Sequence, residues 1–193
     1  MSMRVITGSA RGMKLECPPG MDVRPAPEMA RAALFNMLRD EVEGAEVLDL
    51  FAGAGTIGIE ALSRGAKRCV FVERSPQHRA FIDRNLQHTH LADRAEVQVR
   101  DAFRSPAVFA KQGGHFDIIF LGPPFPLWRE PAAKASLLAL MEELAALDLL
   151  KPGGTLVAQS DERDSLPEST PLLQLTDRRT YGRNALCFYT RRT

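Results

Sequence analysis

Apolar residues recur along the chain with two different periods. Short, dense apolar runs at 46–51, 68–73, 118–121 and 155–159, and an alternating run at 95–99 carrying Val97 and Val99, predict strands. Ile118-Ile119-Phe120-Leu121 is unbroken, as a central parallel strand buried on both faces should be. Between these runs the spacing lengthens to that of a helix. Ile57, Ile59, Ala61 and Leu62 predict a helix over 56–64, ended by Gly65. Ser75-Pro76 supplies an N-cap and a first-turn proline for a helix carrying Ala80, Phe81, Asn85 and Leu86 to about residue 89. Leu137, Leu138, Met141, Leu144 and Ala145 predict a third helix over 131–147, after which Pro152-Gly153-Gly154 should turn into the strand at 155–159. Two further strand candidates, 172–175 and 185–189, are separated by residues 178–184. This alternation predicts an α/β fold: a doubly wound, mostly parallel, seven-stranded sheet closed by an antiparallel C-terminal hairpin.

The N-terminal segment reads differently. Short runs at 4–7 and 13–17, joined by Gly8-Ser9-Ala10-Arg11-Gly12, predict a hairpin. An isolated hairpin is marginal in water, so it must pack on the main domain or on a partner. After Pro18-Pro19-Gly20, residues Ala30, Ala33, Leu34, Met37 and Leu38 predict a helix over about 28–41, which leaves Arg24, Arg31 and Asn36 to face a site or solvent. The expected organisation is an appendage at 1–42 and a main domain at 43–193.

Composition narrows the function classes. With 193 residues, 45% of them hydrophobic, the chain can bury one sizeable core. The formal net charge of +1 conceals an uneven distribution. Residues 177–193 hold five arginines against Asp177, and residues 1–39 hold Arg4, Arg11, Lys14, Arg24, Arg31 and Arg39 against Glu16, Asp22 and Glu28. Basic ends of this kind suit a polyanion. Cys17, Cys69 and Cys187 are odd in number and have no metal-ligand spacing, which predicts free thiols in a reducing compartment. With no long apolar run and no apolar signal core, a cytoplasmic location and no membrane partner are expected.

Chemistry concentrates at the ends of the predicted strands. Leu48-Asp49-Leu50-Phe51-Ala52-Gly53-Ala54-Gly55-Thr56-Ile57-Gly58 is a strand feeding a helix through a glycine turn, where a ligand can lie against bare peptide and the helix N–H groups. Its spacing fits the dinucleotide fingerprint. Asp49 sits badly for a pyrophosphate, however, and well for the ammonium of a methionine moiety. Glu73 ends the next strand and can accept two ribose hydroxyls, while Asp101 ends the third and can accept an adenine amino group. Together they describe a pocket for S-adenosyl-L-methionine (SAM), with Asp49, Phe51, Gly53, Gly55, Glu73, Arg74, Asp101 and Ala102 as its expected lining. Gly122-Pro123-Pro124-Phe125 closes the fourth strand, so every candidate should fall on one carboxyl rim.

The sequence resembles the RsmD-type ribosomal RNA methyltransferases over nearly its whole length. The shared stretches are Arg4-Val5-Ile6-Thr7-Gly8, Arg11-Gly12, Lys14-Leu15, Arg24-Pro25, Arg31-Ala32-Ala33-Leu34-Phe35-Asn36, Leu48 to Gly55, Glu60-Ala61-Leu62-Ser63-Arg64-Gly65-Ala66, Phe71-Val72-Glu73, Asn85-Leu86, Pro123-Pro124-Phe125 and Tyr181-Gly182. The resemblance implies a Rossmann-like class I SAM-dependent methyltransferase fold. It also implies methyl transfer to the exocyclic N2 of a guanine in small-subunit (16S) ribosomal RNA, free or in the assembled particle, by a monomeric enzyme. Gly122, Pro123, Pro124 and Phe125 would then form the catalytic loop, with Phe125 stacking on the base, and Arg4, Arg11, Lys14, Arg24, Arg31 and Arg183 would contact RNA. Two positions depart from the family. Gly122 replaces the aspartate of Asp-Pro-Pro-Tyr or Asp-Pro-Pro-Phe, and Gln159-Ser160 stands where the family often carries a glutamate. Asp161 or Glu162 is a candidate replacement carboxylate. The alternatives are a SAM- and RNA-binding protein that has lost catalysis through Gly122, and a nicotinamide oxidoreductase resting on the glycine fingerprint alone.

Overall fold

The computed structural model describes residues 3–18 and 28–192; the Arg24-Pro25 motif lies outside them. The strands are β1 (Met3–Arg4), β2 (Lys14–Leu15), β3 (Glu46–Leu50), β4 (Arg68–Glu73), β5 (Ala95–Val99), β6 (Phe116–Leu121), β7 (Leu150–Asp161), β8 (Leu173–Tyr181) and β9 (Asn184–Arg191). The α-helices are α1 (Glu28–Leu38), α2 (Thr56–Ser63), α3 (Pro76–His88), α4 (Pro106–Lys111) and α5 (Pro131–Ala146). Strands β3 to β9 form one seven-stranded sheet in the order β5-β4-β3-β6-β7-β9-β8. β5, β4, β3, β6 and β7 run parallel, and β9 pairs antiparallel with both β7 and β8. The predicted doubly wound sheet with an antiparallel end is therefore the observed one.

Alternation along the central strands divides the core into two layers. Val47, Ile118, Phe120 and Val157 face α1, α2, α3 and the β1–β2 hairpin, whereas Leu48, Leu50, Ile119 and Leu121 face α4 and α5. Such strands bury both faces, which is why they are nearly continuous apolar runs.

Three expectations need correcting. Pro152-Gly153-Gly154 is not a turn before a strand but an irregularity inside β7. Phe116 and Ile118 of β6 face Leu150 and Thr155 of β7, so the extra residues between them loop out of register. Residues 178–184 are mostly strand, because β8 runs to Tyr181 and the turn is only Gly182-Arg183. β8 is an edge strand with one face in solvent, so charge at Arg178 and Arg179 is no bar to pairing. α4 was not predicted, since only Pro106 and Phe109 of its six residues are buried.

The hairpin is pinned by buried polar groups on α2 and α3. The fully buried Glu60 carboxylate accepts from the Ile6 and Thr7 N–H groups at 2.8 and 3.0 Å and from Arg64 Nε at 2.7 Å. Ser63 Oγ accepts from Ala10 N at 3.0 Å and donates to Thr7 O at 2.6 Å. Gly8 has φ +89°, and any Cβ there would collide with the Ser63 carbonyl. Asn85 clasps Glu16 through its N–H at 2.8 Å and its carbonyl at 2.9 Å, and donates to Ala54 O at 3.0 Å. Arg31 is drawn into this network, contrary to the expectation that it faces RNA. It is 1% exposed, donates from Nη2 to Arg4 O at 2.6 Å, and places Nε 3.9 Å from Glu60. The hairpin covers the face of α1 that carries it.

Replacing Glu60 with alanine leaves two amides and Arg64 Nε without their acceptor and the buried Arg31 without its nearby counter-charge. Denaturant titration of Glu60→Ala should show a loss of about 3–5 kcal/mol, as for one partner removed from a buried ion pair. A loss under about 1 kcal/mol would show that the hairpin is held by its apolar contacts alone.

Candidate active site

The carboxyl ends of four parallel strands stand level. Leu50 pairs with Val72 of β4 and Leu121 of β6, and Glu73 pairs with Val99 of β5. The backbone continues this register beyond the strands: Ala52 N donates to Val72 O at 3.0 Å, Arg100 N to Glu73 O at 3.1 Å and Gly122 N to Leu50 O at 3.3 Å. Phe51 to Gly55, Glu73 with Arg74, Asp101 with Ala102, and Gly122 to Phe125 thus share one rim.

The turn between β3 and α2 is built from left-handed backbone. Phe51, Gly53 and Gly55 have φ of 63°, 59° and 77°, and Gly55 is the N-cap of α2. For phenylalanine this conformation costs about 1–3 kcal/mol, the kind of strain that persists where surrounding structure over-determines it. Phe51 meets Phe103 edge to face, with centroids 5.6 Å apart. The third glycine, Gly58, packs so closely that a Cβ would run into Phe71 and the Cys69 thiol, which brings its N–H to Asp49 Oδ2 at 3.0 Å.

Three carboxylates surround the turn. Asp49 is 1% exposed, and burial raises its carboxyl to about 7; the Gly58 N–H opposes the rise and nearby Glu73 adds to it. Glu73 spans two amides, Gly53 N and Ser75 N, both at 2.9 Å, and lies 3.5 Å from His78 Nδ1. Asp101 is exposed and caps the short turn Ala102–Arg104 by accepting from Phe103 N at 3.0 Å. Arg74 is exposed beside Glu73, and Ala102 is buried. A site of three acids repels a pyrophosphate and suits a cationic ligand with hydroxyl and amine donors. That donor set fits SAM.

On the other side of β3, Gly122-Pro123-Pro124 leads into a short 3-10 turn, Phe125–Trp128. Trp128 is buried, and its Nε1 donates to Gln159 O at 2.8 Å, fastening the loop to β7. Prolines carry no N–H, and the Gly122 N–H is spent on Leu50. The Gly122-Pro123-Pro124 stretch therefore presents only carbonyl acceptors. Gly122 does not have positive φ, so its backbone would admit any residue; a Cβ there would instead stand 2.7 Å from a ring carbon of the buried Phe120.

The expected replacement carboxylate is committed elsewhere. Asp161 is fully buried and bonded to Arg129, Arg163 and Arg183, and the Arg163 hydrogen bond foremost holds its carboxyl well below the usual range. Gln159 Nε2 donates to Asn184 Oδ1 at 2.7 Å, and Ser160 is buried. Of the basic residues expected to meet RNA, Arg4, Arg11 and Lys14 are exposed on the hairpin and Arg183 in the β8–β9 turn, while Arg31 is buried. Sequence reasoning missed Glu60, Ser63 and Asn85 as the hairpin's anchors. Glu60 and Ser63 were signalled as polar residues inside an otherwise apolar helix, with Glu60 and Arg64 one turn apart, and all three residues by lying in stretches shared with the family.

The raised carboxyl of Asp49 has a measurable sign. The native state holds this proton to higher pH than the unfolded chain does, so stability falls as pH rises from about 4 through 7. Between pH 5 and pH 8 the cofactor-free protein should lose about 2–3 kcal/mol more than Asp49→Asn does in urea titrations. Parallel pH profiles for the two proteins would overturn this reading of Asp49.

Comparison with known proteins agrees with this geometry. The family model described as Conserved hypothetical protein 95 matches residues 3–190. The protein YlbH of Bacillus subtilis is 38% identical over 98% of this chain and 100% of its own length. Ribosomal RNA small subunit methyltransferase D of Haemophilus influenzae is 33% identical, over 89% of this chain and 86% of its own. The solved structure of yhhF from Escherichia coli superposes with a TM-score of 0.81 at 30% identity, covering 99% of this chain and 98% of that one. The sheet is thus that of a Rossmann-like methyltransferase fold, and the chain belongs to the Conserved hypothetical protein 95 family, that of the RsmD-type ribosomal RNA methyltransferases.

Proposed function

We propose that this protein transfers a methyl group from SAM to the exocyclic N2 of a guanine in small-subunit ribosomal RNA. The observation that carries the reading is one rim holding both an acid-lined glycine turn and, across β3, a proline loop made only of acceptors. The relative named ribosomal RNA small subunit methyltransferase D supports the choice of RNA.

Asp49 would engage the methionine ammonium, Glu73 the ribose hydroxyls and Asp101 the adenine amine. SAM would supply an electrophilic methyl to the guanine N2, leaving as S-adenosyl-L-homocysteine, with the N2 proton passing to water. The chain's part is to position. The Gly122 and Pro123 carbonyls accept from the amine and turn its lone pair towards the methyl, and Phe125 stacks on the base, worth about 1–3 kcal/mol. A base drawn from a duplex must first be unstacked, so an exposed loop guanine is the cheaper target.

A second reading, a SAM- and RNA-binding protein with impaired catalysis, is favoured by Gly122 and by the commitment of Asp161 to three arginines. Losing one aimed polar group at a transition state costs about 2.7–4 kcal/mol in comparable cases. Transfer of labelled methyl to small-subunit particles lacking the modification separates the two readings.

The first prediction concerns the cofactor. In calorimetric titrations Glu73→Ala and Asp101→Ala should each weaken SAM binding roughly ten- to a hundredfold, the worth of a hydrogen bond to a charged group. Asp101→Ala should keep its melting temperature, whereas Glu73→Ala should lower it by freeing the Gly53 and Ser75 amides. Normal binding by either variant would remove that acid from the cofactor site.

The second concerns catalysis. Wild-type transfer should be slow, and Gly122→Asp combined with Phe120→Leu, which clears the ring from the new side chain, should raise kcat by up to about 10²–10³-fold with little change in SAM affinity. Fast wild-type transfer that the double substitution abolishes would show that backbone carbonyls alone orient the target. An inert wild type that turns active would mark the second reading as correct.

A further inference from the structure

Three exposed guanidinium groups converge on one buried carboxylate at the end of β7. Asp161 accepts from Arg163 Nε at 2.9 Å and from Arg183 Nη2 at 3.1 Å, and forms an ion pair with Arg129, whose Nη2 lies 2.9 Å away. Asp164 accepts Arg129 Nε at 3.1 Å and, on its other oxygen, the Asp161 N–H at 3.0 Å. Arg178 Nη2 donates to the Glu162 and Asp164 carbonyls at 2.8 and 3.0 Å. Signs are segregated by depth. The Asp161 and Asp164 side chains are 0% and 7% exposed, while those of Arg129, Arg163 and Arg183 are 45%, 63% and 67% exposed. Two exposed acids adjoin the cluster along the chain, Glu130 beside Arg129 and Glu162 between Asp161 and Arg163.

A guanidinium has five N–H donors, and these arginines spend only some of them on Asp161 and Asp164. The remainder face solvent from side chains already held in place, so an anion captured there orders little that was free. Because Asp161 keeps its carboxyl ionised far below neutrality, the anchor persists across the working pH range.

The position is as informative as the charge. β7 pairs with β6, whose end carries Gly122-Pro123-Pro124-Phe125, and Arg129 follows that loop directly. Arg183 stands in the β8–β9 turn, next to Asn184, which pairs with Asp161. In the order β3-β6-β7 the cluster borders the proline loop on the side away from the glycine turn.

We propose that Arg129, Arg163 and Arg183, anchored on Asp161, form a phosphodiester site that grips the RNA backbone beside the nucleotide presented to the Gly122–Phe125 loop. This rests on the reading of RNA as the substrate. Arg129 and Asp161 also fasten the proline loop, so the informative variants are the outer two, Arg163→Gln and Arg183→Gln.

The test is the salt dependence of binding of the full-length protein to a small-subunit ribosomal RNA transcript, with methyl transfer to small-subunit particles measured alongside. Each substitution should lower the slope of log affinity against log salt by about 0.7–0.9, the counterion release of one phosphate contact, and the pair by about twice that. Arg163→Lys should retain the slope. The KM for particles should rise at least threefold in the double variant while the SAM dissociation constant moves less than twofold. Unchanged slopes in variants of a wild type that binds and methylates RNA would overturn the phosphate site alone. Unchanged slopes with a lowered melting temperature would assign the cluster to loop fastening and overturn it equally. A wild type that neither binds the transcript nor methylates the particle would overturn both this site and the functional reading.

Discussion

A single buried carboxylate, Glu60, sets how the N-terminal segment meets the sheet. It satisfies two hairpin amides and faces two arginines from different elements, all from the middle of the eight-residue helix α2. The other end of that helix carries the Gly58 N–H to Asp49. Buried ionic groups of this kind often add little net stability over a well-packed apolar core, and fixing one arrangement among several is their better-attested use. Here the arrangement fixed is that of a basic hairpin relative to the glycine turn. The hairpin cannot slide along α2 without stranding the Ile6 and Thr7 amides, and Asn85 locks its second strand to the turn through Ala54.

The rim itself is built against stability. Phe51 holds a backbone conformation that suits glycine, and Asp49 is buried where ionisation is costly. Glu73 braces the turn through the Gly53 and Ser75 amides, and Asp49 through the Gly58 N–H. A cationic ligand in the turn would relieve what the empty protein has to bear, because its charge favours the ionised Asp49. Strain and desolvation at the rim are held in place by the close packing of α2 onto Phe71 and Cys69, which leaves no room for a side chain at Gly58.

Much of this was legible in the sequence, and the failures share a cause. β4 and β5 fall where their apolar runs predict them, and the acids at strand ends could be placed on one rim because parallel strands share a direction. The bulge at Pro152 to Gly154 and the burial of Arg31 could not be read this way, since each depends on a neighbour distant in sequence, while β8 was cut short because its exposed, charged second half carries no apolar run. The same holds for the arginines around Asp161. Arg129, Asp161 and Arg183 meet only because β9 returns antiparallel along β7, a pairing that local periodicity does not encode. Arg183 and Asp161 were each visible as charges, but their pairing was not.

Gly122 ties the chemistry to the core. It lies two residues beyond Phe120, so a side chain there would point to the same face of the sheet, and Phe120 fills that space from within the layer shared with α1 and α2. The missing carboxylate is therefore not a gap at the surface; its room has been taken by a buried aromatic ring. The loop nonetheless remains an acceptor for an amine. Its two prolines remove competing donors, the Gly122 N–H is tied to Leu50, and Trp128 holds its far end to Gln159. Under the proposed function the chain lacks a charged acceptor that could strengthen as the amine loses its proton, and its fixed carbonyl geometry would orient the amine without that extra pull.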